Sequence, residues 1–267
     1  MMQATVILSY SHQKLSPKGQ NMQTEYYKEY SNELGRDMEF KVYGWAGVPV
    51  LAVPCQNGRF FEWEGFHMFD DTLADYLNDG RIRVFTLDTI DSETVSDVNG
   101  DPYWRIRRYE QWYNYICNEL VPRIHEIMGN GDRILTTGFS MGAYHAANLF
   151  FRRPDLFRGC ISCSGIYDTY DMYNGYMDDV VYRNDPCASL SMMPKDHPYI
   201  DMYNHSDICI CVGQGAWEGP LLAGTRRLDP ILRSKGIRAW VDYWGFDVNH
   251  DWPWWRKQIR YFLDNIL

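Results

Sequence analysis

Gly138-Phe139-Ser140-Met141-Gly142 has the residue types of a serine nucleophile held on a tight turn between a strand and a helix. An apolar run, residues 133–139, enters the pentapeptide, and a small-residue segment, residues 141–152, leaves it. A serine hydroxyl attacks a carbonyl carbon only when a base removes its proton, so it must project from the sheet edge toward a histidine. A turn that achieves this strains the serine backbone and presses its neighbours against adjacent elements. The positions two before and two after the serine therefore tolerate only small residues. Gly138 and Gly142 meet that demand, and Ala143 continues it. The helix after the turn aims its first N–H groups at the site, where they can hold a developing oxyanion. The pentapeptide alone is a weak signal, because a glycine-rich turn in an ordinary strand–turn–helix unit has the same composition.

In a fold built around such an elbow, the acid and the histidine follow the serine in the chain. Four histidines do so. His145 lies on the elbow helix, whose axis leads away from the nucleophile, and His197 and His205 precede the next strand. His250, in the loop FDVNHDWPWW after the last predicted strand, is the predicted base. Asp251 beside it reads as a helix N-cap, since Trp252-Pro253 opens the terminal helix. The acid belongs in the loop after the preceding strand, where a carboxylate holds the imidazole tautomer and stabilises its protonated form. That loop is Gln214-Gly215-Ala216-Trp217-Glu218, and Glu218 is its only carboxylate. Asp168, after strand 158–165, and Asp247, three residues before His250, are its rivals. The oxyanion donors are expected to be the backbone N–H groups of Met141 and, from the loop after VPVLAVP, of Gln56. Cys55 and Asn57 are alternatives to Gln56, and Gly58 permits the bend. Cys55 could itself be a thiol nucleophile, but it lacks the elbow around it.

The elements that must position these groups alternate from about residue 36. Strand-like runs at 39–45, 48–54, 81–88, 133–139, 158–165, 207–213 and 238–245 are interleaved with helical segments. This is the pattern of a largely parallel sheet covered on both faces. The N-terminal 36 residues are expected to add antiparallel edge strands. A long amphipathic helix carries Trp104, Tyr109, Trp112, Tyr113, Ile116, Leu120 and Ile124 at helical spacing, a stripe that reads as core. Residues 166–206 break the rhythm. Polar and rich in Tyr, Met and Asp, they are expected to form a partly helical, lid-like insertion over the carboxyl edge of the sheet, where α/β proteins bind ligands. Its aromatics either pack the segment onto the sheet or stack against a sugar or aryl group.

Composition narrows the partners. A chain of 267 residues, 45% hydrophobic, can bury one substantial core, so a single domain is expected. With 26 Lys and Arg against 35 Asp and Glu, the net charge of −9 opposes binding to nucleic acid or anionic membranes. No apolar run approaches 18 residues and no leader pattern opens the chain, so the sequence reads as soluble and cytoplasmic. Seven scattered cysteines form no disulfide framework. Cys160 and Cys163 make a C-x-x-C inside a strand without the second pair a zinc site needs, which fits buried thiols in a reducing compartment.

GFSMGAYHA with RPDLFRGCISCSGIYD, then VGQGAWEG and NHDWPWWR, resembles the putative-esterase family of α/β-hydrolases, relatives of S-formylglutathione hydrolase, feruloyl esterases and mycolyltransferases. The likeness spans about residues 33–266, and HDWPWW is its most specific part. It implies a triad of Ser140, Glu218 and His250, with oxyanion amides at Met141 and Gln56. Two departures stand out. Pro54-Cys55-Gln56 replaces the usual His-Gly or Gly-Gly of the oxyanion loop, and Asp247-Val248-Asn249 replaces glycines before the histidine. The expected protein is an α/β-hydrolase acting as a serine carboxylesterase on a small-molecule ester, with no cofactor required. An acyltransferase using the same triad, or an inactive binding protein on the same fold, are the alternatives.

Overall fold

The computed structural model describes residues 22–267. Of the expected N-terminal edge strands, residues 1–21 lie outside the described residues. The first described strand is β1 (Thr24–Ser31), paired antiparallel with β2 (Arg36–Tyr43). Then come β3 (Val48–Val53), β4 (Ile82–Leu87), β5 (Ile134–Phe139), β6 (Phe157–Cys163), β7 (Asp207–Val212) and β8 (Trp240–Tyr243). Among the described residues they make one sheet in the order β1-β2-β4-β3-β5-β6-β7-β8, with β2 antiparallel to β4 and every later pairing parallel. Every residue of β4 and β5 is buried, as continuous apolar runs require when both faces are covered, whereas outer β1 is largely exposed.

The helices, in chain order, are α1 (Glu62–Gly65), α2 (Ala74–Asn78), α3 (Pro102–Tyr115), α4 (Val121–Met128), α5 (Met141–Arg152), α6 (Asp179–Arg183), α7 (Pro186–Met192), α8 (Pro198–Asn204), α9 (Gly219–Ser234) and α10 (Trp252–Ile266). Helices α3, α4, α5 and α9 bury one sheet face, while α1, α2 and α10 bury the other. A π-helical turn, Ile116–Leu120, joins α3 to α4. Pro122, just beyond it, has no N–H to return to the preceding turn, and the wider turn absorbs that loss. The aromatic stripe of this long helix is core except at Trp104, which is 66% exposed in the first turn and packs edge-on against Tyr103.

Residues 166–206 are partly helical, and they also form the crossover from β6 to β7. Because those strands are parallel, the segment must run from the carboxyl edge of the sheet back to its amino edge. Three short helices do this, started by Asp178, Asp185 and His197, whose side chains accept N–H groups of the first turn. The segment is tied to its neighbours by Arg105 donating to the Met172 carbonyl, Tyr144 to that of Asn184 and Tyr203 to that of Phe151. Tyr167, Tyr173 and Tyr203 are fully buried, so their rings pack the crossover onto the domain, whereas Tyr170 is 67% exposed.

The order of strands places β3 beside β5. The chain leaves β3 toward β4 on one side and β5 toward β6 on the other, so this is the switch point of the sheet, the place where open α/β sheets take their ligands. Gln56 and Ser140 sit just beyond the carboxyl ends of these two strands.

Candidate active site

Strand β5 ends at Phe139, whose buried ring is stacked between Trp63 and Trp255. Ser140 comes next with φ 56° and ψ −124°, and α5 begins at the following residue. That conformation is strained for a residue with a side chain, and it turns the hydroxyl out of the sheet. The two glycines are required by contact. A Cβ on Gly138 would lie 2.3 Å from the Gly142 carbonyl, and one on Gly142 would lie 2.5 Å from the carbonyl oxygens of Val53 and Pro54. Helix α5 thus rests on the backbone of the β3 loop.

Ser140 Oγ lies 2.9 Å from Nε2 of His250. The histidine loop is stitched to the loop after β7. His250 N–H donates to the Ala216 carbonyl, the Asn249 side chain accepts the Ala216 N–H, and Gly215 N–H donates to Val248. Glu218, in that second loop, is fully buried although it stands at the N-terminus of α9. Its Oε2 faces His250 Nδ1 at 3.5 Å, and among the described residues neither atom has another hydrogen-bond partner. Its Oε1 accepts the Ser164 hydroxyl at 2.7 Å, and the Trp255 indole meets the His250 ring edge-on at 4.9 Å.

The rival residues are engaged elsewhere. Asp168 pairs with Arg227 at 2.7 Å, and Asp247 is exposed to solvent. His145 is buried between Tyr109 and Asp91, His197 caps α8, and His205 lies beside Asp201. Asp251 accepts the Trp252 N–H at the start of α10, the capping position expected of it.

The loop after β3 is a tight turn closed by the Gly58 N–H on the Cys55 carbonyl, with Asn57 left-handed at φ 60°. A Cβ on Gly58 would meet Pro54 at 2.6 Å, so the bend needs glycine. Three consecutive N–H groups have distinct fates. That of Cys55 donates to Glu62 Oε2 at 2.7 Å, and that of Asn57 to Asp91 Oδ2 at 3.0 Å. Between them, the Gln56 N–H has no acceptor among the described residues. The Met141 N–H, first in α5, has no acceptor within its own helix.

Residues 31–263 match the family described as Putative esterase. The chain belongs to this family. It is a serine hydrolase of the ester-cleaving class, built on the α/β-hydrolase fold. No curated protein matches it in sequence. Among solved structures, it is similar to S-formylglutathione hydrolase from Agrobacterium tumefaciens at 13% identity and a TM-score of 0.71, over 92% of this chain and 96% of the other. It is similar to the ferulic acid esterase AmCE1/Fae1A of the fungus Anaeromyces mucronatus at 12% identity and a TM-score of 0.70, over 97% and 95%. It is also similar to the fluorophosphonate-binding serine hydrolase F of Staphylococcus aureus at 13% identity and a TM-score of 0.66, over 91% and 97%. At these identities the likeness is one of fold.

In this esterase, Cys55 is poorly suited to attack. Burial, reinforced by the neighbouring Glu62 carboxylate, pushes its thiol well above the ordinary value, so the thiolate is scarce. Cys55→Ser is therefore expected to keep kcat/KM on p-nitrophenyl esters within about threefold, since the serine hydroxyl fills nearly the same space and the Cys55 N–H is retained. A loss above tenfold would restore the thiol as a candidate nucleophile.

Some residues that hold this candidate site together carry no mark in the sequence. Ser164, buried and left-handed at φ 59°, supports Glu218 from the end of β6, and Glu62 and Asp91 fasten the β3 loop. The serine in GCISCSG, just where a buried strand gives way to glycine, is the only available hint. Trp217, before Glu218, is left-handed at φ 68° and 85% exposed, and Phe246 on the adjoining loop is 81% exposed. Among the described residues, no three His, Cys, Asp or Glu side chains converge to hold a metal ion, and no helix is long and apolar enough to cross a membrane.

Proposed function

We propose that the protein is a serine carboxylesterase working through a Ser140–His250–Glu218 triad and an acyl-enzyme. The observation that carries this reading is the 2.9 Å contact of Ser140 Oγ with His250 Nε2, backed by buried Glu218 at the opposite ring nitrogen. His250 takes the hydroxyl proton as Ser140 attacks the ester carbonyl. The N–H groups of Met141 and Gln56 receive the oxyanion, with Gln56 favoured over Cys55 and Asn57 because its neighbours' N–H groups are already taken. Collapse of the tetrahedral intermediate expels the alcohol, protonated by His250. A water, deprotonated by the same ring, then attacks the acyl-enzyme and releases the acid. The start of the 166–206 segment, where it leaves the carboxyl end of β6, contributes to the rim of the acyl pocket, and the substrate is a small or medium ester.

The test is turnover of p-nitrophenyl esters from acetate to decanoate, with and without added alcohols. Saturable release of nitrophenol with free acid as the main product is expected. An ester of the added alcohol as the main product would make the enzyme an acyltransferase, and no turnover at any chain length would leave a binding protein on this fold.

A further inference from the structure

An oxyanion hole accelerates acyl transfer only when its donors are fixed before charge develops. One donor at this site is rigid by construction, since Met141 opens a helix. The other, Gln56, lies in a turn of coil. We propose that Asp91 and Glu62 are positioning residues that fix this turn, each by taking the N–H on one side of Gln56 so that the N–H between them faces Ser140. The proposal rests on Gln56 being the second oxyanion donor.

The geometry around Asp91 supports this. The carboxylate is 2% exposed and accepts Asn57 N–H on one oxygen, while its other oxygen lies 3.1 Å from His145 Nε2. His145 is fully buried, with Nδ1 3.0 Å from the Tyr109 hydroxyl. One proton arrangement satisfies every member. Tyr109 donates to Nδ1, neutral His145 donates from Nε2 to Asp91, and Asp91, an acceptor only, takes Asn57 N–H. Tyr109 in turn accepts from Asn148. His145 and Asn148 both lie on α5, the helix whose first N–H is the other donor. A single rigid element therefore provides Met141 directly and anchors Gln56 through His145, Asp91 and Asn57. Glu62 does the same from the far side through Cys55, and Gly142 supports the base of the turn at Pro54.

These roles differ from simple electrostatics. Two carboxylates beside a nascent oxyanion repel it, so removing one charge without losing the anchor would speed the reaction. Losing the anchor slows it.

The experiment compares wild type with Asp91→Asn, Glu62→Gln and Glu62→Ala. Asn at 91 keeps the shape but can accept on one side only: with its N–H₂ toward Asn57 the anchor is lost, and with its N–H₂ toward His145 the ring must take the other tautomer and the Tyr109 hydroxyl proton loses its acceptor. Asp91→Asn is expected to lower kcat about 100-fold with KM within threefold, because the oxyanion exists only beyond the ground state. Affinity for an alkyl trifluoromethyl ketone, which forms a tetrahedral adduct at serine, should fall by a similar factor. Affinity for the corresponding non-electrophilic secondary alcohol should not change. Glu62→Gln, which still accepts the Cys55 N–H but carries no charge, should run between wild-type kcat and fivefold faster, while Glu62→Ala loses at least tenfold.

Asp91→Asn at wild-type kcat or faster, with Glu62→Ala equal to Glu62→Gln, overturns the proposal. So does an equal loss of affinity for ketone and alcohol. If Asp91→Asn fails to fold, the Glu62 pair decides by the same criterion. Failure of the underlying reading is distinguishable. Wild-type turnover that survives Ser140→Ala would overturn the esterase site itself, and the positioning roles with it.

Discussion

Ser140→Ala is expected to lower kcat on p-nitrophenyl acetate by about 10⁵-fold or more while leaving the fold and melting temperature unchanged. Removing a triad serine forfeits the covalent route entirely, and only binding and the oxyanion donors remain to act on water. Alanine occupies the same backbone conformation with the same strain at φ 56°, so stability is not the quantity that moves. Labelling by a fluorophosphonate probe should vanish in parallel. Residual activity above about 1% of wild type would place the nucleophile elsewhere.

The second large effect is expected at Glu218→Gln, a drop of about 10³–10⁴-fold in kcat. The side chain is fully buried, so the amide cannot escape to solvent. With its oxygen retained by the Ser164 hydroxyl, its N–H₂ group faces His250 Nδ1, which favours the tautomer that protonates Nε2 and leaves Ser140 without a base. Asp168→Asn and Asp247→Asn provide the comparison, both expected within about threefold of wild type. Asp168 is occupied by Arg227, and Asp247 is exposed. A large loss at either, with Glu218→Gln active, would move the acid to another strand end.

The residues that make these effects legible in sequence are those whose demands are local. Gly138 and Gly142 are dictated by contacts across the elbow itself, and the buried strands by continuous apolar runs. Glu218 and His250 could be selected because chain order and loop composition leave few choices. The features that escape the sequence depend on contacts between distant segments. Asn57 meets Asp91 across 34 residues, and Ser164 meets Glu218 across 54. No periodicity encodes such meetings, since they depend on which strand ends the sheet brings side by side. Strand β8 is another example. Residues 238–245 read as a full strand, yet only Trp240–Tyr243 pair, because where pairing stops is set by the stretch of β7 that lies alongside, Cys209–Val212. Trp104 likewise obeys the helical spacing but falls in a first turn that nothing covers.

The left-handed residues Asn57, Ser140, Ser164 and Trp217 lie just beyond β3, β5, β6 and β7, four strands that are neighbours in the sheet. Each such conformation costs a side-chain-bearing residue roughly 1–2 kcal/mol. The tension is therefore concentrated along one edge, and the two hydrophobic layers beneath it supply the restraint. Under gentle warming this edge is expected to relax before the layers do. Turnover should then be lost at a lower temperature than the helical circular-dichroism signal in one warming series, inactivation beginning as a local event in these four loops while the fold persists.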